Sequence, residues 1–214
     1  MALLKVLLLL LGLGVSVNSG VSLQKRIIGG QNCDDGERLH HVRLESSNGD
    51  ERIRCGGSLI HPEWILTSAQ CWTSEPGWTN VAMLKVHPRT VIHYNQVIRH
   101  NPVIYTHRHH QHDIMLLKLQ TPVSDVPVAR LPNCRRLMNV VQVSQIHQTY
   151  GHIFYAGAPN KDICRADYGG AAMYNDMIYG VITLGHPHSA CQRPAAVIDV
   201  CEYMAWIKQK TGIQ

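Results

Sequence analysis

The chain has 214 residues, 45% of them hydrophobic and 16% charged, which is enough to bury the core of one domain or of two small ones. Its formal net charge is +5, but residues 1–26 carry three basic residues and no acidic one, so the rest carries +2. That charge is too small to argue for binding to nucleic acid or to a membrane surface.

The first 19 residues have the three-part pattern of a secretory signal peptide. Lys5 precedes a run rich in Leu and Val, which ends in small and polar residues near Ser19. The apolar run is too short for a transmembrane span, and no basic flank follows it directly. We therefore predict a secreted, extracellular protein without a membrane span, cleaved near Ser19 or Gly20.

Strand-like runs dominate the chain from there to about residue 200, and Gly, Pro, Asn and Asp separate them, which is typical of an all-β barrel or sandwich. The runs are Gly57–Ile60, Trp64–Thr67, Val81–Val86, Ile114–Leu119, Val140–Val143 and Met177–Leu184. Thr121–Pro127 is the best candidate for a linker. Tyr203, Trp206 and Ile207 then fall at i, i+3 and i+4, which predicts an amphipathic C-terminal helix over Cys201–Gln209.

Six short motifs occur in the order in which the trypsin/chymotrypsin family of serine proteases has them. They are Ile27–Gly30, Cys55–Ile60, Trp64–Thr67, His112–Leu119, Cys164–Gly170 and Trp206–Ile207. The chain resembles this family over nearly all of residues 27–214, which would form its protease domain. The resemblance implies two packed antiparallel β-barrels with the active site between them. The first barrel would cover residues 27–121, and the second, with the C-terminal helix, residues 122–214.

The resemblance places the three catalytic positions of the family at Gln70, Asp113 and Tyr168. The family has its general-base histidine where this chain has Gln70, and its nucleophilic serine where it has Tyr168. An amide has no protonation equilibrium near neutral pH, and a phenol without a base beside it is a poor nucleophile. We therefore predict a catalytically inactive homologue rather than an enzyme. The amide of Gln70 is the natural hydrogen-bond donor to Asp113.

The junction between Arg26 and Ile27 resembles the activation cleavage site of the family. Residues 20–26 would then be a short propeptide. In the family, the amino group freed by cleavage pairs with the aspartate before the nucleophile, which here is Asp167. These residues could equally persist as inherited scaffold without a working switch, because a buried ion pair is weak evidence of a use.

Two residues match the primary specificity pocket of trypsin-like members. Asp162 stands where the family places the carboxylate that selects Arg or Lys side chains, and Gly185 matches a glycine of the pocket wall. A solvated loop aspartate is the other interpretation of Asp162. If the pocket is open and another histidine serves as the base, the alternative function is a residual endopeptidase with a preference for Arg or Lys.

Seven cysteines in a secreted chain predict a disulfide framework with one cysteine left over. By resemblance the pairs are Cys55 with Cys71, Cys134 with Cys201, and Cys164 with Cys191. Only 29 residues, 135–163, separate Cys134 from Cys164, which is fewer than in the family. The second barrel would thus be truncated, and the partner of Cys33 would be missing with the lost segment. We expect Cys33 to be a buried free thiol, with an intermolecular bridge as the alternative.

A histidine-rich segment covers residues 107–112, and the resemblance implies that it is a loop at the rim of the cleft. Its spacing is compatible with Zn²⁺ binding by two or three imidazoles, with a pH-sensitive patch, and with a solvated polar loop. The candidate metal ligands are His107, His109, His110 and His112. No other cofactor is expected.

The leading interpretation is a secreted, inactive serine protease homologue that acts by binding another protein, which the sequence does not identify. Metal or pH sensing through residues 107–112 is a second interpretation. A third is that the shortened second barrel yields a poorly folding product without a selected function.

Overall fold

The computed structural model describes residues 30–88, 93–134, 145–147, 151–157, 163, 167–183 and 195–214. Within these ranges the chain forms twelve strands in two antiparallel sheets and one α-helix near the C terminus. The predicted all-β class with a C-terminal helix is confirmed. No helix in these ranges is both long enough and apolar enough to cross a membrane.

The first sheet has seven strands and contains the first half of the described chain. In chain order they are β1 (His41–Ser47), β2 (Arg52–His61), β3 (Trp64–Thr67), β4 (Thr79–Leu84), β5 (Tyr94–Val97), β6 (Val103–His107) and β7 (His110–Lys118). Their order across the sheet is β5-β4-β1-β2-β3-β7-β6. Residues of β1 alternate between buried and half-buried, which is the pattern of a strand with one face on a core.

The second sheet has five described strands. They are β8 (Gln145–His147), β9 (Gly151–Ala156), β10 (Ala171–Tyr174), β11 (Met177–Ile182) and β12 (Ala195–Asp199), in the spatial order β10-β11-β12-β9-β8. One edge of this sheet is the three-residue strand β8. A very short edge strand offers little backbone for pairing with another chain.

The C-terminal helix α1 covers Met204–Thr211, so it starts three residues later than predicted. Asp199 accepts a hydrogen bond from the backbone N–H of Cys201 at 3.0 Å and thereby caps a 3-10 turn, Val200–Tyr203, in front of the helix. Gly212 ends the helix with φ 75°, in the left-handed region that favours glycine.

Strand β7 is buried on both faces, and its alternation divides two hydrophobic cores. Met115 and Leu117 belong to the core of the first sheet. Ile114 and Leu116 belong to a second core, which also receives residues from the second sheet and from the C-terminal helix, such as Ile198 and Ile207. Strand β7 therefore contributes side chains to both cores, and a one-residue shift in its register would exchange every contact.

Two glycines, Gly56 and Gly169, allow the backbone of the loop at residues 167–170 to contact the backbone of β2. Gly169 has φ +78°, and a Cβ atom there would lie 2.3 Å from the carbonyl oxygen of Gly56 on β2. The N–H of Gly56 in turn donates to the carbonyl of Tyr168 at 2.7 Å. The loop at residues 167–170 is thus held directly against the first sheet.

The histidine-rich segment is part of a β-hairpin, so the prediction of a rim loop is wrong. Strands β6 and β7 are joined by Arg108 and His109 alone, which have φ 47° and 65°. Two consecutive residues with positive φ form the type I′ turn that suits a two-residue hairpin. His107 and His110 pair across this turn.

Candidate functional site

A buried carboxylate lies at the centre of the candidate site. Asp113 is the fourth residue of β7, after two exposed residues and the half-buried His112, and it is only 4% exposed. Its Oδ1 accepts from the Ser68 hydroxyl at 2.6 Å and from the Gln70 backbone N–H at 3.0 Å. Its Oδ2 accepts from Gln70 Nε2 at 2.8 Å and from the Thr183 hydroxyl. Each carboxylate oxygen therefore has two donors.

These four donors decide how costly the buried charge is. Burial raises the pKa of Asp113 above its usual value, whereas the bonds from Ser68, Thr183 and Gln70 lower it. The donors are two hydroxyls, a backbone amide and a side-chain amide, all of them neutral. These donors stabilise the carboxylate, but none of them can act as a base near neutral pH.

Gln70 reaches this carboxylate from a short 3-10 turn, Ala69–Cys71. The Ser68 hydroxyl oxygen caps the turn by accepting from the Gln70 N–H at 3.3 Å. A disulfide between Cys55 and Cys71 ties the turn to β2, with a Cα–Cα distance of 5.9 Å. Gln70 itself is exposed, so a polar side chain stands on the accessible rim of the network.

Tyr168 lies across the site on the loop that approaches β2. Its backbone is fixed by neighbours: Gly169 N–H donates to the Ile182 carbonyl at 2.8 Å, and Gly170 N–H donates to the Asp167 carbonyl at 3.0 Å. Its half-buried side chain packs against the core of the first sheet. The loop thus keeps a rigid backbone but places an aromatic ring, rather than a small hydroxyl, beside the first sheet.

The structure places the other predicted site residues as follows. Cys134 and Cys201 form a disulfide with a Cα–Cα distance of 5.6 Å. Asp167 is half-buried. Arg26, Ile27, Asp162, Gly185, Cys164 and Cys191 lie outside the described residues, as do the signal peptide and propeptide segments. Their roles stay predictions.

Cys33 is a free thiol, but the expectation that it is buried is wrong. It is exposed, and so are its neighbours from residue 31 to residue 37. The segment precedes β1 and contributes no side chain to either hydrophobic core among the described residues. An apolar environment for the sulfur is therefore lacking.

The four candidate metal ligands do not come together. Among the described residues, no group of three or more His, Cys, Asp or Glu side chains is placed to hold a metal ion. His110 and His112 are two residues apart on β7 and His107 pairs with His110, so these three share a face, but the His112 ring is engaged by Tyr203 and His109 lies in the turn. His112 points away from Asp113, and its Nδ1 lies 2.7 Å from the Tyr203 hydroxyl oxygen.

Sequence reasoning missed two donors to the central carboxylate. Ser68 lies beside a recognised motif, and a serine at the start of a turn is a signal for a capping residue. Thr183 follows β11, 70 residues away in sequence from Asp113. No local pattern could have connected those two residues, since only the packing of the two sheets brings them into contact.

This architecture is that of a two-sheet serine protease fold, and the sequence profile described as Trypsin matches residues 27–151 and 126–207. The chain therefore belongs to the trypsin family, as its motifs indicated. It is 28% identical to Snake venom serine protease homolog 2 of Macrovipera lebetinus, over 97% of this chain and 95% of that protein. It is 26% identical to Trypsin of Xenopus laevis, over 95% and 96% of the two chains. Kallikrein-12 of Homo sapiens is 26% identical over 96% and 97%.

The alignments also bear on the length of the chain. The alignment with the snake venom homologue spans 256 positions, which is 42 more than the 214 residues of this chain, so at least that many positions are absent here. The family profile matches in two overlapping pieces rather than one. Both facts agree with a shortened second half, and the place of the shortening stays a prediction.

Proposed function

We propose that this protein is a secreted, catalytically inactive member of the trypsin family that acts by binding another protein. The observation that carries the proposal is the bond between Gln70 Nε2 and Asp113 Oδ2 at 2.8 Å. In this bond the partner of the carboxylate is an amide, which cannot accept and return a proton during peptide hydrolysis.

Tyr168 supports the same conclusion from the other side of the site. Nucleophilic attack needs a small, activated oxygen with a base within about 3 Å. The Tyr168 ring is instead part of the packing on the first core, and the amide of Gln70 is committed to Asp113. The snake venom relative is named a serine protease homolog, and trypsin and kallikrein relatives match equally well along their lengths.

A turnover assay tests the loss of activity. The protein is cleaved after Arg26 and incubated with fluorogenic peptides that carry Arg or Lys before the scissile bond. We expect no turnover above that of the matched variant Asp113→Asn, which lacks the carboxylate. A double variant, Gln70→His with Tyr168→Ser, restores the two family side chains and measures what this scaffold can do when they are present. Wild-type turnover that a covalent serine-hydrolase inhibitor abolishes would overturn the proposal.

A binding experiment tests the other half. The mature protein is immobilised, partners are captured from its native fluid, and the captured protein is purified for measurements of Kd. Aromatic side chains at the centre of an interface often contribute most of the binding energy. We therefore expect Tyr168→Ala to weaken binding about tenfold or more. Tyr94→Ala, an equally aromatic change at a side chain 41% exposed on β5, is the control. Equal losses for the two variants would contradict a role for the former catalytic cleft.

A further inference from the structure

Five aromatic rings from five elements meet on the face of β7 opposite Asp113. They are Tyr105 of β6, His112 of β7, His152 of β9, Tyr203 of the 3-10 turn and Trp206 of α1. Tyr105 lies edge-on to Tyr203 and Trp206, with ring centroids 4.9 Å and 5.4 Å apart. This cluster, which we call the ring junction, connects the first sheet to the second sheet and to the C-terminal helix.

One hydroxyl organises the polar contacts of the ring junction. The Tyr203 hydroxyl oxygen accepts from the backbone N–H of His152 at 2.9 Å and lies 2.7 Å from His112 Nδ1. Burial raises the pKa of Tyr203 further above its usual value, so the phenol keeps its proton. With His112 neutral and Nδ1 without a hydrogen, the phenol proton is donated to Nδ1, so the hydroxyl both donates and accepts.

Protonation of His112 would reverse the direction of this bond. Nδ1 would carry a hydrogen, and the Tyr203 oxygen would have to accept from both His112 and His152. The phenol proton would then lose its acceptor in a place where Tyr203 is 1% exposed. A buried hydroxyl proton without an acceptor destabilises the folded state by about as much as a lost hydrogen bond.

We propose that the contact between His112, Tyr203 and His152 is a proton-sensitive lock between the two sheets, closed when the His112 imidazole is neutral and loosened when it gains a proton. The inference does not depend on the proposed function, because the lock lies on the face of β7 away from Gln70 and Tyr168. It differs from the exposed histidine patch considered from the sequence, since the responsive group is His112, which is half-buried and contacts Tyr203 and His152.

The charged and titratable neighbours of His112 act in the same direction. His107 and His110 come from the hairpin and His152 from β9, and each lowers the pKa of His112 by repulsion, after the larger effect of burial. On the 3-10 turn, Glu202 Oε2 lies 3.8 Å from His152 Nδ1. Asp199, one residue before the turn, and Tyr105 act on Tyr203 rather than on His112 directly.

The sign of the pH dependence follows. Because the pKa of His112 is lower in the folded protein than in the unfolded chain, the unfolded chain binds this proton more readily. The contribution of the neutral ring to stability is complete above about pH 6.5, the ordinary value for histidine, and is lost as the pH falls towards the lower folded value. The His112 ring is only half-buried, so we expect protonation to lower the stability of the folded protein modestly.

Amide exchange of His152 measures the lock locally, since that N–H is bonded to Tyr203. In wild type we expect its protection factor, corrected for intrinsic exchange, to fall about threefold between pH 7.5 and pH 5.5. His112→Asn keeps an acceptor near the position of Nδ1 but cannot be protonated, and its protection should stay constant. His100→Asn changes an exposed histidine and should behave as wild type. A local measurement is needed because His40, whose pKa burial also lowers, contributes to global acid sensitivity.

Two results would overturn the lock. One is the same pH dependence of His152 protection in wild type and in His112→Asn. The other needs no variant: an NMR titration of the wild-type His112 ring whose midpoint lies at or above that of a free histidine, about pH 6.5. A midpoint below that value together with loss of His152 protection over the same pH range supports the proposal.

Discussion

His112 and Asp113 are neighbours on β7 with side chains on opposite faces, and their surroundings favour opposite kinds of group, an uncharged ring and a carboxylate. Asp113 lies among neutral donors, which make a buried charge tolerable, whereas burial and repulsion from neighbouring histidines favour the uncharged imidazole of His112. Burial raises the pKa of the first and lowers that of the second. Polar contacts join the Asp113 side of β7 to the second half of the chain, and ring packing joins the His112 side to it.

The largest effect should come from removing the carboxylate. Asp113→Ala leaves two hydroxyls and two amides of Gln70 without their acceptor, and we expect the free energy of unfolding to fall by about 3–5 kcal/mol in urea denaturation. Asp125→Ala is the matched control, since that aspartate is exposed and pairs with Lys85 at the surface. Equal stability of the two variants would mean that the carboxylate side does not hold the sheets together.

The next effect isolates one bond of that side. Thr183→Val removes the hydroxyl that donates to Asp113 but keeps the shape of the side chain. A hydrogen bond to a charged group contributes about 1.5–3 kcal/mol, so chemical denaturation should show a loss in that range. Thr211→Val removes a buried hydroxyl bonded at 2.8 Å to a neutral carbonyl of Ile207 and should lose less. If the order were reversed, Asp113 would be carrying its proton rather than its charge.

The opposite face of β7 should respond less. Tyr203→Phe removes one hydroxyl and leaves the His152 N–H and His112 Nδ1 without a partner, which we expect to cost about 1–2 kcal/mol. The rings of the cluster remain packed in this variant. Tyr174→Phe, at a side chain 52% exposed, should leave the thermal unfolding midpoint unchanged. If Tyr203→Phe lowered the free energy of unfolding more than Asp113→Ala does, the His112 side of β7 would contribute more stability than the Asp113 side, contrary to our expectation.

The smallest effect is expected at the exposed rim. Gln70→Ala removes the side-chain donor at 2.8 Å, but three other donors to Asp113 stay in place. We expect a loss of about 0.5–1 kcal/mol. Gln70→Glu adds a second carboxylate beside the first, so one of the two must bind a proton. That variant should lose more stability than Gln70→Ala above neutral pH, and denaturation at several pH values tests the difference.

Local patterns in the sequence carried much of the fold. The run Trp64–Thr67 coincides with β3, and Ile114–Leu119 overlaps most of β7, because a short apolar run bounded by turn residues is a local signal of a buried strand. The hairpin turn escaped notice because its residues are Arg108 and His109 rather than Asn and Gly, although both adopt positive φ.

The candidate site was predictable only where its residues lie in motifs. Gln70, Asp113 and the contact between them followed from the family pattern and from the chemistry of an amide. Thr183 and Tyr203 come from distant parts of the chain and reach β7 only through the packing of the second half. The exposure of Cys33 was also missed, since whether a thiol is buried depends on neighbours that no local sequence reveals.

At Gly151 the ring junction leaves no room for a side chain. It begins β9 with φ +97°, and a Cβ atom there would lie 2.3 Å from the Tyr203 hydroxyl oxygen and 2.5 Å from His112 Nδ1. Even a methyl group would act as a wedge between the two side chains, at neutral pH and without changing any titratable residue. The absence of a side chain at this position is therefore required for the contact between the Tyr203 hydroxyl and His112 Nδ1.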